Sequence, residues 1–272
     1  MCALDHLWPL VSRGGQLEGN LYYDDMAARQ NVLVVGAYGG IGRAICEILR
    51  SEESHVAVFG RDEAKLGTLA QAIGGFPIVG EATSFAAMVA AFEQVSEKFG
   101  TLTGVVNCTG SLLLKPAHLT SADEYVATIA ANLTTAFAVC HAAGKVMTGG
   151  GSVVLVSTAA ARTGIANHEA IAAAKAGVQG LMLSAAATYA SRGLRFNCVA
   201  PGLTRTPLAA KVLANEASEK ASLAMHALGR LGEPGDVARA ICWLLDPAND
   251  WVTGQVLGVD GGLANVRVRP KV

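Results

Sequence analysis

Charge is scarce in this chain. Only 16% of its 272 residues are Asp, Glu, Lys or Arg, and the net charge is −1. No basic run is long enough to leave an electrostatic footprint for nucleic acid. The apolar stretches are interrupted by Gly, Asn or a charged residue before the roughly 20 residues a bilayer span needs, so neither a nucleic-acid nor a membrane partner is expected. The chain also lacks a C-x-x-C pair. Cys2, Cys46, Cys108, Cys140, Cys198 and Cys242 stand far apart, mostly inside apolar runs. They read as buried free thiols in a reducing, cytoplasmic compartment. There is no H-E-x-x-H, no Cys/His cluster and no G-x-S-x-G, so no metal site and no hydrolase elbow are expected. The opening "MCALDHLWPLVSRGGQLEGN" carries acidic residues and no sustained apolar core. Residues 1–29 are therefore expected to be a flexible N-terminal arm and not a leader peptide.

What the sequence does contain is alternation. Half of it is hydrophobic, 51%, with 31 glycines, and short β-branched runs take turns with alanine-rich helical ones. "NVLVVGA" (31–37), "HVAVFG" (55–60), "PIVGEA" (77–82), "LTGVVNCTG" (102–110), "GSVVLVST" (151–158) and "GQVLGVDGG" (254–262) read as strands. Between them "GIGRAICEILRSE", "DEAKLGTLAQAI" and "FAAMVAAFEQVSEKFG" read as helices. The fourth and fifth runs are apolar on both faces, as strands covered on both sides must be. This order predicts one α/β domain over 30–272. It is a Rossmann-type, doubly wound parallel sheet with helices on both faces, and its ligand crevice lies beyond the carboxyl ends of the strands.

Gly36-Ala37-Tyr38-Gly39-Gly40-Ile41-Gly42 follows the first strand and opens the first helix. Glycines in that place let the backbone approach a pyrophosphate, whose charge the helix N–H groups stabilise. The second strand ends Phe59-Gly60-Arg61, with glycine where an NAD site carries a carboxylate and an arginine next to it. NADP(H) is therefore favoured over NAD(H), with Asp62 keeping NAD(H) open.

Several ordered motifs now coincide. "GAYGGIG", "VVNCTG" (105–110), "NLTTAF" (132–137), "RFNCVAPGLTRTPL" (195–208), "GRLGEP" and "TGQVLGVDGG" together resemble the short-chain dehydrogenase/reductase family over nearly all of residues 30–263. The resemblance implies that Asn107 and Gly110 flank the adenosine side of the cofactor, with Cys108 and Thr109 departing from the usual residues. It puts Glu81 and Ala82 near the adenine, Glu81 standing where an aspartate is usual. Pro201, Gly202, Thr204 and Thr206 would line the nicotinamide end. It further implies a homotetramer or dimer, and a substrate lid near 208–230.

The family's usual active site is Asn, Ser, Tyr and Lys, with the tyrosine four residues before the lysine. Carried onto this chain, the roles fall on Asn132, Thr158 (with Ser157 adjacent) and Lys175, but the tyrosine position is Ile171. Isoleucine cannot donate the proton that a carbonyl reduction needs. His168 lies seven residues before Lys175, two helical turns away on the same face, where some enoyl reductases of the family place their tyrosine. Histidine titrates near neutrality and can take that part.

Three readings follow. One is a reductase of C=N or activated C=C bonds that dispenses with the phenol. The second is a carbonyl reductase in which His168, or a water on Thr158, replaces it. The third is a nucleotide-binding sensor or assembly subunit without turnover. His6, His55, His118, His141 and His226 are isolated in sequence and are expected to be structural or exposed.

Overall fold

In the computed structural model, which describes residues 29–268, the β-branched runs form seven strands. They are β1 (Asn31–Val35), β2 (His55–Gly60), β3 (Phe76–Val79), β4 (Gly104–Asn107), β5 (Gly151–Val156), β6 (Leu194–Pro201) and β7 (Val256–Val259). Every pairing is parallel, in the order β3-β2-β1-β4-β5-β6-β7. Parallel neighbours need long crossovers, and helices supply them. These are α1 (Gly40–Ser51), α2 (Glu63–Ile73), α3 (Phe85–Phe99), α4 (Ala122–Ile129), α5 (Thr135–Val146), α6 (Glu169–Tyr189), α7 (Ala210–Leu213), α8 (Glu216–Met225) and α9 (Pro234–Leu245). The expected arm falls on residues 1–28, outside the described residues, apart from Arg29.

The period of two along each strand sorts its side chains into two cores. Leu33, Val35, Ala57, Phe59, Val105, Val153 and Leu155 pack with Met88, Phe92, Val139, Val178 and Met182 from α3, α5 and α6. Their neighbours Val32, Val34, Val56, Val58, Val106 and Val154 pack with Ile45, Leu49, Leu66, Val237 and Ile241 from α1, α2 and α9. Each large aliphatic buried this way contributes about 1.5–3 kcal/mol. That double demand is why the strand sequences are apolar throughout.

Two helical runs, Ala122–Val146 and Glu169–Arg192, are long and apolar enough by composition to cross a bilayer, and about half of each, 50% and 44%, is buried in the fold. Composition by interruption underestimated them. Much of their apolarity goes into packing on the sheet and on each other.

The strands also stop earlier than their apolar runs. β4 ends at Asn107, and Cys108, Thr109 and Gly110 leave the sheet, with the Cys108 N–H still donating to the Val35 carbonyl at 2.8 Å. The strand order reverses between β1 and β4, which are neighbours in the sheet but not in sequence. Chains diverge there to opposite faces and leave a crevice at the carboxyl ends.

Candidate active site

The phosphate end of the crevice is made of backbone. Gly36 holds φ at +78°, and a Cβ on it would come within 3.0 Å of the Thr109 N. A Cβ on Gly42 would meet the Gly36 carbonyl oxygen at 2.6 Å. α1 starts behind Gly39 with no side-chain cap and no acid in its first turn, whereas Asp62, Ser84 and Ser121 cap α2, α3 and α4 with their own side chains. The first N–H groups of α1 are thus left to an outside acceptor, which fits a dinucleotide pyrophosphate.

Beside the loop, the Tyr38 ring lies across Gly60, where any Cβ would come 2.6 Å from the ring Cε1. Asp62 accepts from the Lys65 N–H at 3.1 Å and pairs with its ammonium at 2.8 Å, which lowers its pKa. Asp62 is therefore committed to capping α2. Arg61 is exposed, 3.7 Å from Glu81. Glu81 accepts from the N–H and hydroxyl of Thr83, and Ala82 is buried beside it. Asn107 is also turned inward, accepting from the Thr109 N–H at 3.1 Å and donating to Thr135 at 3.3 Å. It braces β4 against α5.

At the other end a cavity of about 240 Å³ gathers side chains from distant segments, among them Asn132, Thr158, His168, Ile171 and Lys175. Asn132 sits in a π-helical turn, Ala130–Thr134, between α4 and α5. Such turns recur at functional sites because the extra residue turns a side chain out of helical phase. Its Nδ2 donates to the Thr128 carbonyl at 2.9 Å and to Ser111 Oγ at 3.0 Å. Ser157 is buried, donating to the Lys175 carbonyl and accepting from Gln179. It fastens β5 to α6. Thr158 accepts from the Ala160 N–H at 3.3 Å, which leaves its own O–H free to donate.

Lys175 is buried, and its Nζ donates to the Val156 carbonyl at 2.7 Å. Removal from water lowers its pKa to about 8. Ile171, one turn earlier, is buried and lines the same cavity. His168 precedes α6, and its Nδ1 lies 2.7 Å from the Ala166 carbonyl oxygen. Among the described residues no Asp or Glu lines the cavity, and the Lys, His and Cys side chains that do are Lys175, His168, His226 and Cys108.

Comparison with known proteins fixes the lineage. Residues 36–264 match the family model described as enoyl-(acyl carrier protein) reductase. The chain is 31% identical over 239 residues to carbonyl reductase family member 4 of Danio rerio, covering 85% of this chain and 96% of that one. It is 32% identical over 241 residues to a tropinone reductase homolog of Arabidopsis thaliana, covering 86% and 92%. A short-chain type dehydrogenase/reductase from Mycobacterium ulcerans superposes with a TM-score of 0.83 at 30% identity, over 87% of this chain and 90% of that one. The chain belongs to the short-chain dehydrogenase/reductase family.

As a short-chain dehydrogenase/reductase it is an oxidoreductase whose fold implies a nicotinamide cofactor. Pro201, Gly202, Thr204 and Thr206 all line the cavity, as do Ile41 and Gly110. Two polar residues of this site have no motif to announce them. Ser111 holds the Asn132 amide, and His226 is buried at the end of α8, accepting from the Leu203 N–H at 3.1 Å and donating from Nδ1 to the Ser222 carbonyl at 2.7 Å. His226 ties the end of α8 to the loop after β6, so its role is structural, as its isolation in sequence suggests, but it stands in the cavity wall. The segment expected to be a lid, 208–230, contains α7 and α8. Arg205 pairs with Glu219 of α8 at 2.6 Å and lies 3.6 Å from Glu233, just before α9. The expected free thiols are observed at Cys46, Cys108, Cys140, Cys198 and Cys242; Cys2 lies outside the described residues.

Proposed function

We propose that this enzyme is an NADP(H)-dependent reductase of an apolar substrate whose developing charge is negative: a ketone or aldehyde, or a C=C bond conjugated to a carbonyl. The observation that carries this reading is the cavity's charge inventory. Lys175 is its cation, His168 stands beside it, among the described residues no carboxylate lines it, and the remaining wall is mainly aliphatic, including Leu112, Leu114, Ile165, Leu208, Val212 and Met225. An alkoxide or enolate gains from such surroundings. A cationic iminium would instead meet an ammonium with nothing to offset it, so C=N substrates rank below the other two.

Preference for NADP(H) rests on Arg61 beside Gly60, on Tyr38 filling the space a carboxylate would need, and on Asp62 being spent as a cap. The cofactor, when bound, supplies the hydride. Gly36, Gly39, Gly40, Gly42 and the start of α1 hold its phosphates, and Lys175 holds the nicotinamide ribose as a cation. Thr158 donates its free O–H to the substrate oxygen, Asn132 keeps the neighbouring loop in place, and His168 handles the proton in the place of tyrosine.

We also propose a cytoplasmic homodimer or homotetramer with no nucleic-acid or membrane partner. Phe137, Tyr125 and Val126 on α4 and α5, Leu183 on α6 and Leu257 on β7 are exposed apolar side chains, and exposed apolar area of this kind favours a second copy.

The test is NADPH oxidation with 2-octanone, trans-2-octenal and a cyclic imine, with His168→Ala beside the parent. Turnover of the first two, lowered about 10²-fold in the variant, supports the reading; turnover of the imine alone overturns it. Ile171 favours one other reading, a binding protein, because it removes the usual acid. Tight NADPH binding with no turnover of any probe selects that one.

A further inference from the structure

Among the described residues only two non-glycines have positive φ, Glu53 and Asn167. Glu53 sits in an exposed turn after α1. Asn167, at φ 63°, stands directly before His168 at the mouth of the cavity. Non-glycine residues enter that region rarely, Asn and Asp most readily, and where they do so beside a reactive group the conformation has a use.

Here the use is visible in the hydrogen bonding. The left-handed residue folds the chain back so that the carbonyl of Ala166 meets the ring two residues later, at 2.7 Å from Nδ1. A carbonyl oxygen only accepts, so Nδ1 carries the proton. A neutral imidazole has one N–H, which leaves Nε2 bare, and Nε2 has no protein partner among the described residues. Without such a bond either nitrogen can hold the proton.

We propose that Ala166, Asn167 and His168 form a tautomer lock that makes Nε2 of His168 a proton acceptor in the neutral ring and a proton donor only in the imidazolium. This rests on the reading above, in which His168 handles the proton. In reduction the carbonyl carbon receives the hydride and its π electron pair moves to oxygen. The oxygen takes the Nε2 proton, and His168 is left neutral with Nδ1–H still on Ala166. In oxidation neutral Nε2 takes the hydroxyl proton and the carbon gives up the hydride. One ionisation then governs both directions with opposite sign: reduction falls as pH rises through it, and oxidation climbs.

The charged neighbours are few. Lys175 on the same helix, His226 at the end of α8 and Cys108 after β4 share the cavity. Glu169, next along α6, is exposed. Arg162 in the preceding loop donates to the Val256 carbonyl, and Arg267, in the C-terminal turn whose Leu263 packs on Ala159 and Ile165, donates to Leu263, Val266 and Thr163. Asn167 is a positioning residue in this arrangement and touches no substrate.

The test reads the ring directly. Long-range ¹H–¹⁵N correlation on the ¹⁵N-labelled protein, with the His168 signals assigned by their loss in His168→Gln, is expected to give an Nδ1–H, bare-Nε2 pattern once the ring is neutral. An Nε2–H pattern overturns the lock. Asn167→Gly, which holds positive φ easily, is expected to keep the pattern. Asn167→Val, which cannot, is expected to lose it, with Asn167→Ala as the milder change should valine prevent folding; retention of the lock in both overturns the role of Asn167. NADPH oxidation with 2-octanone is then followed against pH. It is expected to fall with the midpoint seen for His168 by NMR, and to be about 10²-fold slower in His168→Gln. A profile indifferent to that midpoint, with the Nδ1–H pattern present, removes His168 from the chemistry and sinks the functional reading, while the lock stands. The NMR result decides the lock even if no probe turns over.

Discussion

The two ends of the crevice are built from different materials. At the phosphate end the working groups are backbone N–H donors, and the side chains matter chiefly by being absent: Gly36, Gly40 and Gly42 leave room, and Gly39 starts α1 without a cap. At the other end the groups proposed for the chemistry are the side chains of Asn132, Thr158, His168 and Lys175, which line one cavity from separate segments. Backbone geometry tolerates almost no substitution, because the constraint is a distance of closest approach. A side-chain site can lose one member and keep its shape. Ile171, which the family resemblance sets at the tyrosine position, puts apolar bulk in the cavity wall one turn before Lys175.

The sharpest way to test that contrast is Gly42→Val. The new Cβ has carbonyl oxygens of Gly36 and Ala37 at 2.6 and 2.8 Å, so NADPH affinity is expected to fall about 10³-fold, with a loss of about 2 kcal/mol of stability. Fluorescence titration and urea unfolding measure both. At the side-chain end Lys175→Met should do the reverse to stability. Burial lowers the lysine from its ordinary 10.5 to about 8, so the unfolded chain binds the proton more tightly. At pH 7 the variant is expected to be more stable than the parent, relief of the buried ammonium outweighing the lost bond to the Val156 carbonyl. The parent's own stability should climb between pH 8 and 10.5, where only the unfolded lysine remains protonated, and the variant should lack that climb. Urea midpoints across this range, beside an assay for lost turnover, provide the check.

Thr158→Ala and Ser157→Ala separate neighbours with opposite duties. The first should lower kcat/KM about 10²-fold by removing the donor to the substrate oxygen. The second should cost about 1–2 kcal/mol of unfolding free energy through the bonds to Lys175 and Gln179, with turnover retained. Mildest is Arg61→Ala. The arginine is exposed, so NADPH should bind about tenfold more weakly, about 1.4 kcal/mol, and NADH equally well. Equal loss for both dinucleotides would mean that Arg61 does not read the phosphate.

These differences also explain what could be read in the sequence. Gly36 to Gly42 announce themselves because a backbone site needs particular residues at fixed neighbouring positions. Asn132, Thr158, His168 and Lys175 were placed by the family resemblance, and all four line one cavity. Ser157 and Thr158 both line it; the sequence could not say that Ser157 is taken up by Lys175 and by Gln179, 22 residues away, while the Thr158 hydroxyl stays free to donate. Nor could it show His226 reaching Leu203 across 23 residues, or Asp62 turning from the ribose side to cap α2. Strand ends were overrun for a similar reason: Cys108 and Thr109 continue an apolar run, but the sheet has already parted there.

The π-helical turn at Ala130–Thr134 has a mechanical meaning as well. α4 and α5 lie on one rod, and the extra residue sets the angular phase of one half against the other. α5 thereby keeps Val139, Cys140 and Ala143 on the core while Asn132 points into the crevice. Deleting a single residue from the turn would restore an ideal helix and rotate everything upstream by about 100°. The straighter rod would carry Asn132 away from Ser111, and the Thr128 carbonyl would take a backbone N–H in place of the Asn132 amide. The local irregularity is what lets one helical shaft serve two surfaces whose angular positions do not agree.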